Sequence, residues 1–293
     1  MGELVRVEGL QKKFGKFTAL SDVSFTVNAG EVLGFIGPNG AGKSTTIRIL
    51  LGSLNRDGGE ARIFGRDVWK ESIEIHKRVS YVPGEVELWG GLTGAEIIDL
   101  LMKLHGGGDR AKRDELIRRF ELDPRKKAKT YSKGNRQKVG LIAALAVESD
   151  LYIFDEPTSG LDPLMEMVFQ DEVEKIRDAG KAVILSSHIL SEVDRLADKV
   201  AIIRQGKIVE TGSLEELRHL TRTTVTMTAQ GDLALLQQIP GVHDLKWKGS
   251  QATFSADESH ISAILEAAAK LQVTRFEAVP PTLEDLFMRH YEA

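Results

Sequence analysis

Gly37-Pro38-Asn39-Gly40-Ala41-Gly42-Lys43-Ser44 satisfies the pattern G-x-x-x-x-G-K-[ST] in full, and Thr45 follows it. Glycines at this spacing let backbone N–H groups turn inward around phosphate oxygens, and a helix starting here adds its positive end. Lys43 then reaches β- and γ-phosphates, and the Ser44 hydroxyl is placed to ligate Mg2+. Further on, Leu151-Tyr152-Ile153-Phe154-Asp155-Glu156 is an apolar run ending in two acids. Asp155, at the C-terminal edge of such a strand, can hold the same ion through water, and Glu156 can polarise an attacking water. A histidine follows another apolar run, in Val183-Ile184-Leu185-Ser186-Ser187-His188. Its imidazole can donate or accept a hydrogen bond, which suits a polar site.

These groups need elements to aim them. Val32-Leu33-Gly34-Phe35-Ile36 is apolar without alternation, as in a buried parallel strand, and a helical pattern runs from Lys43 to Leu51. Strand, Gly-rich loop and helix open an α/β nucleotide-binding fold. Leu4–Glu8 and Val23–Val27 alternate and read as flanking strands. From Thr93 to Val147 the chain is mostly helical, with a capping box at Thr93 and Glu96, a helix near 109–120 and another over 136–147. Asp162 with Pro163 starts a helix that Gly180 ends. A hairpin over 200–209 turns at Gln205-Gly206. The reading is an α/β core, 1–219, with a helical subdomain over about 85–149. After about Leu220 the order changes to βαββαβ, with helices at 232–239, 258–271 and from Thr282. That order predicts a small ferredoxin-like α+β domain over 220–293.

Composition narrows the function classes. The 293 residues hold 39 Lys and Arg against 43 Asp and Glu, a formal net charge of −4, so no basic excess points to nucleic acid. Cysteine is absent, which excludes disulfides, Cys-ligated metals and thiol nucleophiles. Apolar runs such as Leu141–Val147 fall far short of the ~20 residues of a membrane span. The N-terminal MGELVRVEGL has no signal-peptide pattern, so the chain is expected to stay in the cytoplasm.

With the phosphate loop in place, Tyr131-Ser132-Lys133-Gly134-Asn135 resembles the signature segment of ATP-binding-cassette ATPases, usually Leu-Ser-Gly-Gly-Gln. Ser132 and Gly134 match; Tyr131, Lys133 and Asn135 depart. Ser159-Gly160-Leu161-Asp162 resembles the family's D-loop, His188 its switch histidine, and Phe14 stands where an aromatic stacks on adenine. The resemblance implies a P-loop NTPase core, ATP and Mg2+ as ligands, and Glu156 and His188 with Lys43 as catalytic groups. Ser44 and Asp155 would hold the metal, and Phe14, Gly37–Thr45, Ser132, Gly134 and Asp162 the nucleotide. It also implies head-to-tail pairing with a second copy or a paralogous ATPase subunit, and a separate membrane permease that holds the chain at the inner face of the membrane. The segment Gly84 to Ile98, with Leu88-Trp89, is the candidate permease contact. The Pro-Pro-Thr-Leu-Glu-Asp-Leu-Phe tail from Pro280 resembles exporter ATPase subunits, and its domain serves either dimer stability or ligand sensing. One departure stands out. The family commonly has Gln where Tyr81-Val82-Pro83-Gly84-Glu85 places Gly84, so that role is absent, moved to Glu85 or left to solvent. Pro83 before it suggests a turn with positive φ at Gly84. Rival readings are a soluble ABC module without a permease and a subunit that binds ATP without hydrolysing it. The single phosphate loop without heptads argues against the first, and Glu156 with His188 argues against the second.

Overall fold

The computed structural model describes residues 2–219, 222–280, 282 and 284. The chain divides into two compact units, 1–212 and 213–293. The helix Leu214–His219 thus groups with the second unit, not with the first as a boundary at 219/220 would have it.

The first unit is built on a six-stranded sheet. From edge to edge it runs Lys207–Ser213, Lys199–Arg204, Val32–Ile36, Ala182–Ser187, Leu151–Asp155, Val79–Val82. The pairings from Lys199–Arg204 across to Val79–Val82 are all parallel. The three central strands are buried along their whole length, which is why their sequences show no alternation. Register aligns their ends: Ile36 pairs with Ser187, and Asp155 with Ser186. Gly37, Glu156 and His188 therefore leave the sheet side by side at its carboxyl edge, the place where open α/β sheets bind ligands.

A second, antiparallel sheet, led by the hairpin Glu3–Phe14 and Phe17–Asn28, covers one face. Its inward residues, Val5, Val7, Leu20 and Phe25 among them, pack with Leu33, Phe35 and Ile47 in one core. On the other face lie the helical elements Gly94–Leu104, Arg110–Arg119 and Lys133–Leu145, whose Ile97, Leu116, Phe120 and Ile142 share a core with Phe154 and Phe169. Each of these helices has a side-chain cap: Thr93 in a full capping box with Glu96, Asp109, and Ser132. The last of them begins at Lys133, before the expected residue 136, because Ser132 already accepts the Asn135 N–H. At the Gln205-Gly206 turn both residues take positive φ, 50° and 74°, as a tight hairpin requires.

The second unit is a four-stranded antiparallel sheet in the order Val242–Lys248, Gln251–Ala256, Thr223–Ala229, Val273–Val279. Numbered along the chain that is 2-3-1-4, the ferredoxin-like arrangement of a βαββαβ chain. Val225, Met227 and Phe254 pack with Leu236, Ile264 and Ala268 on one face. The expected helix at 232–239 is a 3-10 helix, Leu233–Gln238: Pro240 follows Ile239 and holds it extended at φ −84°, ψ 123°. The expected helix at 258–271 opens with a 3-10 turn and is α-helical over Ile261–Lys270. The helix expected from Thr282 lies outside the described residues apart from Thr282 and Glu284. Among the described residues no helix is long and apolar enough to cross a membrane.

Candidate functional site

The loop after Val32–Ile36 folds as a cradle because glycine is sterically required there. A Cβ on Gly37 would lie 2.4 Å from the Ile203 carbonyl oxygen, and Gly42 sits at φ 117° with Leu20 Cδ2 2.6 Å from where its Cβ would be. Gly42 is also the N-cap of helix Lys43–Leu50 and offers no capping side chain, so the first-turn N–H groups have no acceptor within the helix. Lys43 folds back over this loop. It is buried, and its Nζ donates to the Gly37 carbonyl at 2.6 Å. Burial lowers its pKa, opposed by the Glu156 and Asp155 carboxylates. Ser44 is exposed at the start of the helix.

Three side chains converge beside the cradle. Glu156 Oε1 lies 3.6 Å from Lys43 Nζ, and its Oε2 lies 3.5 Å from His188 Nδ1. One carboxylate thus stands between the loop's cation and an imidazole. Its backbone is unusual for a glutamate, at φ 49°, and is held by an N–H bond to the Ser186 carbonyl of 2.8 Å. Asp155 is buried and accepts the Ser186 hydroxyl at 2.8 Å. A serine hydroxyl and a carboxylate are hard oxygen donors, the set that suits a magnesium ion keeping several waters. The chain pattern identifies these residues; it carries no signal for the positive φ of Glu156 or for Ser186 as the group that fixes both acids.

Gly84 also faces this region. Its strand, Val79–Val82, pairs with Leu151–Asp155, and a Cβ on Gly84 would lie 3.2 Å from the Asp155 carbonyl oxygen and 3.6 Å from Glu156 Cβ. The expected positive φ is not found there, because the backbone runs on past Pro83 without a left-handed turn. Glu85 is exposed and lines a polar cavity of about 470 Å³ with Lys129, Lys133 and Arg136. Next to it opens an apolar groove of about 610 Å³, lined by Tyr81, Val86, Trp89, Leu101, Leu104 and Ala143 among others. Trp89 is 54% exposed on this groove. Burial, helped by Asp155, pushes the Tyr81 phenol up to about 12.

The remaining sequence-predicted residues serve their own helices or stand apart. Ser132 is exposed and caps helix Lys133–Leu145; Asp162 caps Pro163–Asp178 by accepting the Met165 N–H at 3.1 Å. Lys133 Nζ donates to Ser159 Oγ at 2.7 Å, and a Cβ on Gly134 would lie 2.2 Å from the Gly160 carbonyl oxygen. Phe14 ends its strand with its ring half exposed and the Lys12 ammonium 5.4 Å from the ring centroid.

Fold and site together define a P-loop ATPase core with an inserted helical region. Residues 20–159 match the family model described as ABC transporter, and residues 212–291 the one described as ATP-binding protein DrrA1-3-like, C-terminal domain. The chain is 31% identical over 297 residues to the uncharacterized ABC transporter ATP-binding protein YhcH of Bacillus subtilis (strain 168), covering 98% of this chain and 96% of that one. It is 30% identical to the linearmycin resistance ATP-binding protein LnrL of the same organism, covering 97% of each. Against the daunorubicin/doxorubicin resistance ATP-binding protein DrrA of Streptomyces peucetius it is 40% identical over 219 residues, 73% of this chain and 66% of that one. Among solved structures, an ATP binding subunit of an ABC transporter matches with a TM-score of 0.68 at 32% identity, covering 74% of this chain and 92% of that one. The chain belongs to the ABC transporter ATP-binding proteins.

Proposed function

We propose that this subunit hydrolyses ATP with magnesium and, through ATP-driven closure of a head-to-tail dimer, powers a membrane exporter whose permease is a separate chain. The observation that carries the hydrolytic reading is the placement of the Glu156 carboxylate within 3.6 Å of Lys43 and 3.5 Å of His188, at the mouth of a phosphate cradle. Glu156 takes a proton from the water that attacks the γ-phosphorus, the bond to the β-phosphate bridging oxygen breaks, and ADP leaves with its charge matched by Lys43. His188 keeps the carboxylate oriented. Ser44 and Asp155 would hold magnesium, which when bound neutralises charge on the phosphate oxygens. Phe14 offers a ring face for adenine.

The dimer reading is supported by the exposed Ser132 at the positive end of helix Lys133–Leu145, a place suited to the γ-phosphate of ATP held by a second copy or a paralogous subunit. Gly134 lies in the same segment as Ser132, and Asp162 follows the Gly160 on which Gly134 packs. The apolar groove with Trp89 supports a permease contact, which would place the chain at the inner face of the cell membrane. Relatives named for resistance to linearmycin and to daunorubicin and doxorubicin support export of small antibiotic-like molecules. Glu156→Gln tests the reading. It should keep ATP binding, cut turnover by about 10²–10⁴ and accumulate an ATP-bound dimer in size-exclusion chromatography. Turnover at the wild-type rate would overturn it. Capture of a membrane permease with the tagged chain tests the partner.

A further inference from the structure

Behind the His188 loop lies an acid that the hydrolytic reading does not use. Glu192, on helix Leu190–Leu196, is only 5% exposed, and Ser187 and Thr158 beside it are equally enclosed. Its Oε2 accepts from Ser187 Oγ at 2.7 Å, and the same serine oxygen accepts the Ile189 N–H at 3.0 Å. Those two bonds fix the chain immediately before and after His188. Thr158, two residues beyond Glu156, adds a polar contact to the carboxyl, while Oε1 is left buried without a hydrogen bond of good geometry. A carboxyl in such a place is costly, and nothing in the packing of the sheet calls for one. Its partners are the segments that carry the two interacting groups, His188 and Glu156.

We propose that Glu192 is a positioning residue for ATP hydrolysis: through Ser187 it holds the turn that keeps the His188 imidazole against Glu156. The proposal rests on the reading of Glu156 as the base. When ionised, Glu192 accepts the Ser187 hydroxyl and leaves the serine lone pair to Ile189. When the carboxyl is protonated on Oε2, that oxygen donates instead, and Ser187 must turn its hydrogen toward the Ile189 carbonyl at 3.4 Å, a poorer arrangement that ionisation removes. Burial pushes this carboxyl up to about 7, with Ser187 and Thr158 opposing and the Glu166 carboxylate adding to the rise. Glu166 faces it from helix Pro163–Asp178, while the strands Val32–Ile36 and Ala182–Ser187 packed on its helix carry no titratable side chain. Asp194 and Arg195 are on its own helix, and His188 is on the loop it holds. The turn is therefore tightest above neutral pH.

The test is a double-mutant cycle on the full chain. Turnover at saturating ATP is measured for wild type, Glu192→Gln, His188→Ala and the double variant from about pH 6 to about pH 8.5, with ATP affinity titrated in parallel. Glu192→Gln should lose about tenfold in turnover near the alkaline end with unchanged ATP affinity, and should lose the part of the pH profile centred near neutrality. In the His188→Ala background it should cost nothing further, and Ser187→Ala should reproduce it. Equal losses in both backgrounds, or a wild-type rate in Glu192→Gln, would overturn the proposal. If Glu192→Gln does not fold, Ser187→Ala with His188→Ala completes the same cycle. Normal turnover in Glu156→Gln would instead remove the base reading itself.

Discussion

The buried Glu192 carboxyl has a consequence for stability that is separable from any effect on turnover. Its pKa moves from 4.5 in the unfolded chain to about 7 in the fold, chiefly through burial. Because the folded pKa is the higher one, the native state binds more protons than the unfolded state between those two values. Stability therefore falls as pH rises from about 4.5 and levels off above about 7, where both states are ionised. A shift of roughly 2.5 units at 1.36 kcal/mol per unit amounts to about 3 kcal/mol lost across that window. Glu192→Gln cannot ionise and escapes the loss. The difference in unfolding free energy between variant and wild type should therefore move by about 3 kcal/mol in the variant's favour from about pH 5 to about pH 8.5. Whatever fixed cost the amide brings is the same at every pH and cancels in that comparison, as do all other titrating groups. Denaturant unfolding at a series of pH values reads it directly, and melting temperatures should show a shift of about 6–12 °C. A pH-independent difference would refute the assignment of a raised pKa, and a difference of opposite sign would mean that the native state prefers the ionised form.

Three further outcomes follow from the same geometry. Lys43→Ala should weaken ATP binding by about 10–100-fold, since it removes a charged donor to the phosphates from an otherwise intact backbone cradle; unchanged affinity in a titration would remove the phosphate role. Gly84→Gln needs no positive φ but sets its Cβ 3.2 Å from the Asp155 carbonyl oxygen, so it should fold with a small local shift and raise the basal ATPase of the isolated subunit several-fold by placing a side chain beside Asp155 and Glu156. If Glu85→Ala is instead nearly inactive and Gly84→Gln neutral, Glu85 has taken over that role. A chain ending after Ser213 keeps the whole six-stranded sheet and should be folded by circular dichroism and bind ATP. An unfolded product would show that the first unit needs residues beyond that point.

The sequence made the α/β core legible because its signals are of a kind that tertiary context rarely overrides. Unbroken apolar runs with no alternation at 32–36 and 151–154 can only be buried, and the acids or glycines that end them mark the sheet's carboxyl edge. The order βαββαβ likewise carried the topology of the second unit, since few sheets satisfy it. What escaped was set by contacts distant along the chain. No local pattern reports that Ser186 would anchor both acids or that Glu156 would adopt φ 49°. The helix expected at 232–239 is present as a 3-10 helix over Leu233–Gln238, and its end has a local cause: Pro240 holds Ile239 extended.

Gly134 shows how the two kinds of information join. As a sequence feature it is one matching position in a segment that departs from its family pattern at three others. In the fold it is a steric necessity, because a Cβ there would meet the Gly160 carbonyl oxygen at 2.2 Å. Lys133 next to it is tied to Ser159 by a 2.7 Å hydrogen bond. The start of helix Lys133–Leu145 is thus packed on and bonded to the short segment that begins at Glu156 and passes Thr158, the neighbour of Glu192. The Ser132 segment and the segment that carries Glu156 are thus joined within one chain by a close backbone approach and a side-chain hydrogen bond. Lys133 strengthens that link where the family's usual glycine would leave only packing, so the departure at this position adds a bond between the two segments.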